Sequence, residues 1–251
     1  MLRILGLRKS FGAVRALDCV DLHICAGRIH GIIGPNGSGK TTLFNCVAGT
    51  LKPDSGRILL EGESITGLRP EAIAGKGVRR TFQDGRIVGE MTVLENVMCG
   101  APADVGASLA DTVLRFPFTP SGKETRIRAK ALEALKTVGM EDSADRWAAT
   151  LVWAERQLVQ IARSLMSTPR LLLLDEPVSG MGPQEIRRVE GIIRSVRESG
   201  VTVAVVSHDV KLLLDVAERV TVLDHGEKIA EGAPQEIRSN PRVREAYLGA
   251  D

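Results

Sequence analysis

The stretch Gly34-Pro35-Asn36-Gly37-Ser38-Gly39-Lys40-Thr41-Thr42 (GPNGSGKTT, residues 34–42) follows an apolar run at 29–33 and opens a segment of helical period at 41–49. It fits the spacing GxxxxGK[ST], with Gly34, Gly39, Lys40 and Thr41 at the fixed positions. Glycines at those places let the backbone turn its N–H groups inward around an anion. The helix that follows points its positive end at the same anion. Lys40 adds a point charge suited to β- and γ-phosphates, and the Thr41 hydroxyl suits Mg²⁺. Strand, glycine loop and helix in that order set the starting expectation of an α/β fold.

A second stretch, LLLLDEP at 171–177, supplies the other half of such a site. A buried strand delivers Asp175 at its C-terminal end, where ligands gather in open α/β sheets. That carboxylate can hold Mg²⁺ through water, and the adjacent Glu176 can orient an attacking water. Alone, two acids before Pro177 are an ordinary strand terminus; beside the glycine loop they read as catalytic. Three further residues fall into place. VVSHD at 205–209 ends a strand in His208, whose imidazole can bond a γ-phosphate. RTFQDG at 80–85 ends a strand in Gln83, a neutral side chain suited to sensing Mg²⁺ or water. Phe11, in KSFG, offers a ring for stacking on a base. Taken singly, each of these three is no more than a strand-end side chain.

The remainder of the chain agrees with that beginning. Its 251 residues, 43% hydrophobic and 25% charged, suit one large α/β domain or two small ones. A net charge of +2 is too small for nucleic acid to be the main partner. The clusters Arg126/Arg128/Lys130, Arg187-Arg188 and Arg242 with Arg244 read as solvated helix faces. Cys19, Cys25, Cys46 and Cys99 have no metal-ligand spacing and read as small buried apolar residues in a reducing compartment. Met1-Leu2-Arg3-Ile4 leads straight into a strand-like segment, so no signal peptide is expected. No apolar run approaches the ~20 residues of a membrane span, so attachment to a membrane is expected only through a partner.

Strand patterns occur at 2–7, 19–24, 28–33, 57–60, 171–174, 201–206 and 220–223, with FGAVRALD read as the connection between the first two. Helical patterns occupy 41–49, 184–198 and 210–218. They also fill most of 93–166, which is interrupted by APADVGAS and FPFTPSGK. Short apolar strands alternating with helices predict a mostly parallel sheet covered on both faces. The helical middle reads as an insertion into it.

The order Phe11, GPNGSGKTT, Gln83, LLLLDEP, His208 resembles the ATPase subunit of ABC transporters, over nearly the whole chain. The resemblance implies a P-loop NTPase core, with a mixed, mostly parallel sheet flanked by helices and antiparallel N-terminal strands. The core would be formed by 1–82 and 168–251, and a helical subdomain inserted at 83–167. It implies ATP and Mg²⁺ as cofactors and Walker A at 34–41. Phe11, 34–42, Gln83 and Asp175 would be nucleotide contacts, with Thr41, Gln83 and Asp175 at the metal. Lys40, Glu176 and the switch histidine His208 would be catalytic. It further implies two subunits stacked head to tail, each ATP meeting Walker A of one and an LSGGQ-type signature of the other. Membrane permease subunits would touch residues 84–92 at the cytoplasmic face, in a system with a solute-binding protein. RTFQ, EMTVLENVMCG at 90–100, the segment 101–122 and the tail at 226–249 look similar to the branched-chain amino acid importer ATPases.

Two stretches depart from that pattern. The signature should begin at Leu151, yet Val152 stands for its serine, Trp153 and Ala154 for its glycines, and Glu155 for its glutamine. Glu155 brings a negative charge towards a phosphate, which is repulsive unless screened. After DEPVSG, Met181-Gly182 stands where a Leu-Asp or Leu-Asn pair is usual. The elements that act on the chain's own ATP are intact; those that act on a partner's ATP are altered. A heterodimer in which a different subunit supplies a normal signature is the first expectation. A homodimer working through backbone N–H groups, and a regulatory subunit with negligible turnover, are the alternatives. A DNA-repair or translation ATPase would carry a long coiled coil or a second cassette, and neither pattern is seen.

Overall fold

The computed structural model describes residues 1–81, 87–102 and 122–248. The chain forms two compact units, Met1–Gln83 with Arg170–Asp251, and Asp84–Pro169. Strands β1 (Leu2–Phe11), β2 (Val14–Ile24), β3 (Ile29–Ile33), β4 (Ser55–Leu60), β5 (Glu63–Ser64), β6 (Val78–Arg80), β7 (Leu171–Asp175), β8 (Thr202–Val206), β9 (Arg219–Asp224) and β10 (Glu227–Gly232) all belong to the first unit. They make an antiparallel sheet ordered β2-β1-β4-β5 and a second sheet ordered β10-β9-β3-β8-β7-β6. The second is parallel except for β10. Helices α1 (Lys40–Val47) and α2 (Pro70–Gly75) precede the second unit, which holds α3 (Val93–Met98), α4 (Gly122–Thr137) and α5 (Trp153–Leu165). Helices α6 (Pro183–Glu198), α7 (Val210–Val216), α8 (Pro234–Ser239) and α9 (Pro241–Leu248) return to the first unit. The mixed, mostly parallel sheet with antiparallel N-terminal strands is the fold expected.

Every residue of β3, β7 and β8 is buried, as the continuous apolar runs of a covered parallel sheet require. Leu43, Phe44 and Val47 of α1 join one core cluster with Leu2, Ile4 and Leu7 of β1, Ile58 of β4, and Leu171 and Leu173 of β7. The helix that follows the glycine loop is therefore held by side chains from both sheets.

The first hairpin differs from its pattern. FGAVRALD is strand except for a turn at Gly12-Ala13, where Gly12 takes φ 58°. Register shifts along β1 against β2, with Gly6 and Cys19 in the left-handed region, break the alternation by which a strand is recognised. Of the cysteines, only Cys46 is buried; Cys25 is half-buried, and Cys19 and Cys99 are exposed, contrary to expectation. Strand β6 stops at Arg80 and β8 at Val206, so His208 lies two residues beyond its strand. Gln83 lies outside the described residues.

In the second unit Thr92 caps α3 through a reciprocal box with Glu95. The fully buried Asn96 accepts from Val88 N–H at 2.7 Å and donates to the Val88 and Thr92 carbonyls, both at 2.9 Å, pinning the loop between them. Leu158, Val159, Ile161 and Ala162 form the buried face of α5.

His30 in β3 is buried, with its Nε2 2.9 Å from the Thr221 hydroxyl, and burial pushes its pKa down from 6.5 to about 4. Between those values the unfolded chain binds the extra proton, so stability falls as pH falls through that window. The loss should reach on the order of 2 kcal/mol by pH 5. Urea midpoints at pH 7 and pH 5 are expected to draw closer together in His30→Gln than in the unsubstituted chain. An equal acid-side drop in both proteins would remove His30 as its source.

Candidate functional site

Strands β3, β8 and β7 lie side by side and parallel, so their C-terminal ends reach one edge of the sheet. Gly34 follows the first, Ser207 and His208 the second, and Asp175 ends the third with Glu176 next in the chain. The Glu176 N–H donates to the Val206 carbonyl at 2.8 Å and extends that alignment past the strands. This edge is where open α/β sheets bind ligands.

The glycine loop leaves β3 in a conformation that only glycines permit. Gly39 has φ 101°, and a Cβ there would lie 2.3 Å from the Ala16 carbonyl oxygen. A Cβ at Gly34 would lie 2.1 Å from the Leu223 carbonyl oxygen and 2.5 Å from Ser38 Oγ. The β9–β10 turn braces the loop, as Gly226 N–H donates to Ser38 O at 3.2 Å. Lys40 is buried, and its Nζ donates to the Gly34 and Pro35 carbonyls at 2.7 and 2.9 Å, curling back under the loop. Burial pushes the Lys40 pKa down, and the nearby Glu176 and Asp175 carboxylates oppose that shift. Asn36, Gly37 and Thr41 are exposed, Ser38 is buried, and Pro35 and Thr42 are half-buried. The loop thus combines exposed backbone with a withdrawn cation, at the start of a helix, which is the form of an anion cradle.

Glu176 is buried and occupies the left-handed region at φ 51°. A non-glycine residue held there at a cleft is a mark of functional strain. Its Oε2 lies 2.7 Å from His208 Nδ1 and accepts from the His208 N–H at 3.2 Å. Two residues with separate roles in the sequence pattern are therefore direct partners. The His208 side chain is 60% exposed and faces solvent beside the buried carboxylate. Asp175 is 1% exposed; its Oδ2 is 2.6 Å from Arg80 Nη2, while Oδ1 is buried with no partner among the described residues. An orphaned buried carboxylate oxygen suits a divalent cation or the water it carries. The residues present therefore fit Mg²⁺.

Phe11 lies at the tip of the first hairpin, 51% exposed, with Lys9 Nζ 5.6 Å from its ring centre. In the second unit, Glu155 is not the open negative charge that its position in the sequence suggests. Arg146 donates to both its oxygens, at 2.8 and 3.3 Å, and Oε2 also accepts from Val152 N–H at 3.1 Å, closing the first turn of α5. Val152 (62% exposed), Trp147 and Trp153 stand exposed around it.

Three residues were given no role by the sequence: Arg80, which opens RTFQDG, and Arg146 and Tyr247, which lie outside every motif. Tyr247, the only tyrosine, is on α9 beside the Gly34 backbone; burial pushes its phenol up to about 12. Helix α9 and loop residues 35–38 line one cavity of about 820 Å³, with Arg242 and Glu245 across from the loop.

Residues 17–179 match the family model described as ABC transporter, and 227–251 that of the branched-chain amino acid ATP-binding cassette transporter. The chain is 38% identical over 251 residues to the high-affinity branched-chain amino acid transport ATP-binding protein BraF of Pseudomonas aeruginosa, covering 99% of this chain and 98% of that one. It is similar to the ADP conformation of MJ1267, an ATP-binding cassette of an ABC transporter, with a TM-score of 0.86 and 32% identity over 100% and 99% of the two chains. It is also similar to the dimeric structure of MJ0796, a bacterial ABC transporter cassette, with a TM-score of 0.77 and 26% identity over 93% and 99%.

Gly39→Ala tests whether the loop conformation itself is the binding device. Its added Cβ meets the Ala16 carbonyl, whereas Gly62→Ala, at φ 88°, meets nothing within 4 Å. Both substitutions carry a backbone cost on the order of 1–3 kcal/mol. Only Gly39→Ala is expected to weaken binding of a fluorescent ATP analogue, by roughly tenfold or more. Equal affinity in the two variants would refute that role.

Proposed function

The chain belongs to the ABC transporter ATP-binding family, and we propose that it is the ATP-hydrolysing subunit of an importer for branched-chain or related amino acids. The observation that carries hydrolysis is the 2.7 Å contact between Glu176 and His208 at the strand edge beside the glycine loop. A subunit that only bound nucleotide would have no use for a buried carboxylate held in a strained backbone by that imidazole.

In this proposal the amides of 34–42 and Lys40 hold the phosphates, and Phe11 stacks on the base. Thr41 and Asp175, with Gln83 as a further ligand, would hold Mg²⁺, which would supply neutralising charge for the transferred phosphoryl. Glu176 accepts a hydrogen bond from the attacking water. His208 keeps the Glu176 carboxylate in place and presents its ring to the γ-phosphate.

The second unit is the helical subdomain and carries the altered signature at 151–155. The proposed partner is a second ABC ATPase subunit with a normal signature, stacked head to tail. The exposed Trp147, Val152 and Trp153 support a protein-covered corner there, since large apolar side chains gathered on a surface mark interaction sites. The Arg146–Glu155 pair gives some weight to a homodimer as well. With its charge cancelled, Glu155 no longer repels a partner's phosphates, and backbone N–H groups can serve. Residues 84–92 are the proposed contact with the permease. Within them Val88 is exposed while Asn96 fixes its backbone, so an apolar side chain is offered on a rigid loop. No helix among the described residues is long and apolar enough to cross a membrane. Attachment to the cytoplasmic face is assigned to the permease, and delivery of the amino acid to a solute-binding protein.

Glu176→Gln tests these assignments together. Turnover is expected to fall by roughly a hundredfold or more, with Mg-ATP still bound. Solution mass with and without Mg-ATP then reports the partner. A chain that binds ATP yet stays monomeric needs another subunit's signature, and an ATP-dependent dimer of this chain alone establishes the homodimer. Unchanged turnover would sink the catalytic role of Glu176.

A further inference from the structure

Arg80 ends β6 and sits in the first unit between the Asp175 strand and the glycine-loop helix. Its Nη2 donates to Asp175 Oδ2 at 2.6 Å and its Nη1 to Asn45 Oδ1 of α1 at 2.5 Å. The guanidinium also lies 5.9 Å from the centre of the Phe44 ring. The two charged side chains are 9% and 1% exposed. The geometry is one-armed. Arginine normally meets a carboxylate with a parallel fork, and that fork would occupy both oxygens. Here the second arm goes to Asn45, and Asp175 Oδ1 is left buried without a partner among the described residues.

We infer that Arg80 is a positioning residue that governs metal binding at Asp175, acting as an internal counter-cation for that carboxylate in the metal-free protein. This rests on the assignment of Asp175 to the metal. A carboxylate buried this deeply cannot stay charged and unpaired. Arg80 supplies the compensating charge and turns one oxygen away, leaving Oδ1 for the ion or its water. The same charge opposes a divalent cation arriving alone, because two cationic groups would then share one carboxylate with little water between them. A nucleotide's phosphates bring the missing negative charge. Metal therefore binds with nucleotide, and the free ion is refused. The hydrogen bond to Asn45 ties this selection to the helix that begins at Lys40.

The test is Mn²⁺ binding to the full chain without nucleotide, read by electron paramagnetic resonance, beside melting curves with and without Mn²⁺. Arg80→Met should lower the melting temperature of the metal-free protein. It should also tighten nucleotide-free Mn²⁺ binding on the order of tenfold or more, and Mn²⁺ should recover much of the lost stability. Arg80→Gln keeps a donor for Asp175 without the charge and should show the same tightening if the methionine variant folds poorly. Arg80→Lys keeps the charge and should leave Mn²⁺ affinity near that of the unsubstituted chain. If folded Met and Gln variants bind Mn²⁺ no better, Arg80 does not oppose the ion and the inference fails. Asp175→Asn separates that failure from a wrong metal assignment. Tight binding by Arg80→Met that survives Asp175→Asn would place the ion elsewhere and overturn the assignment of Asp175 to the metal. Loss of Mn²⁺–nucleotide binding in Asp175→Asn alone would uphold Asp175 whatever Arg80 does.

Discussion

Two carboxylates are buried beside a loop shaped to hold an anion, and the rest of the structure is arranged around that conflict. Asp175 and Glu176 are 1% and 8% exposed. Neither can remain there ionised without nearby positive charge or donated hydrogen bonds. Each has its own solution. Asp175 meets Arg80, Glu176 meets the imidazole and N–H of His208, and both act through space on Lys40. The lysine is drawn in two directions, since desolvation favours its neutral form while the acids favour the ammonium. An incoming polyphosphate would join this set as a further anion. Its binding depends on cations already committed to the protein's own acids, which makes those acids part of the affinity for nucleotide.

Backbone register keeps the groups in reach of one another. Asp175 pairs with Val206 across β7 and β8, and Ile32 with Val206 across β3 and β8. These matches set Gly34, Glu176 and His208 within a residue or two of the same edge. A slip of one residue in any of these strands would turn its side chains to the opposite face. Full burial of all three strands resists such a slip. Helix α1 is fixed against the same sheet by Leu43, Phe44 and Val47, so the loop cannot drift from the acids.

Much of the site could be read from the sequence because its parts are contiguous. GPNGSGKTT holds loop, lysine and hydroxyl within nine residues, and LLLLDEP joins a buried strand to both acids. What escaped depends on contacts between distant positions. Arg80 opens RTFQDG but reaches Asp175 across 95 residues, and Arg146 pairs with Glu155 from outside the signature stretch. Tyr247 comes beside the Gly34 backbone from a tail with no motif of its own. The first hairpin departs from its pattern for a different reason. Its bulges put left-handed residues at Gly6 and Cys19, so side chains along the strand do not alternate as a regular pattern would. Burial of the cysteines is not legible from composition, since Cys19 lies at an irregular point of β2, Cys25 just past that strand and Cys99 at the end of α3. Gln83 was identified by motif and lies outside the described residues.

The altered positions have a common structural character. Val152 and Gly182 each stand at the N-cap of a helix, where a Ser, Asp or Asn side chain would ordinarily accept a backbone N–H. Neither has such an acceptor. In both places the glutamate three residues on reaches back to the cap's own N–H, Glu155 to Val152 at 3.1 Å and Glu185 to Gly182 at 2.8 Å. Ala233 and Glu236 repeat the device at 2.8 Å. The reverse arm of the capping box therefore closes these helices without the forward one. A missing N-cap acceptor costs about 1 kcal/mol at a residue such as Val152 or Ala233 and only a few tenths at a glycine such as Gly182, and the retained arm offsets part of it. Positions 152 and 182 are thus freed from a role in helix stability. Their replacement changes what those helix ends offer to a neighbouring molecule while the helices themselves stay formed. Substitution at these caps is therefore compatible with the fold, because each helix is closed from its own glutamate three residues on.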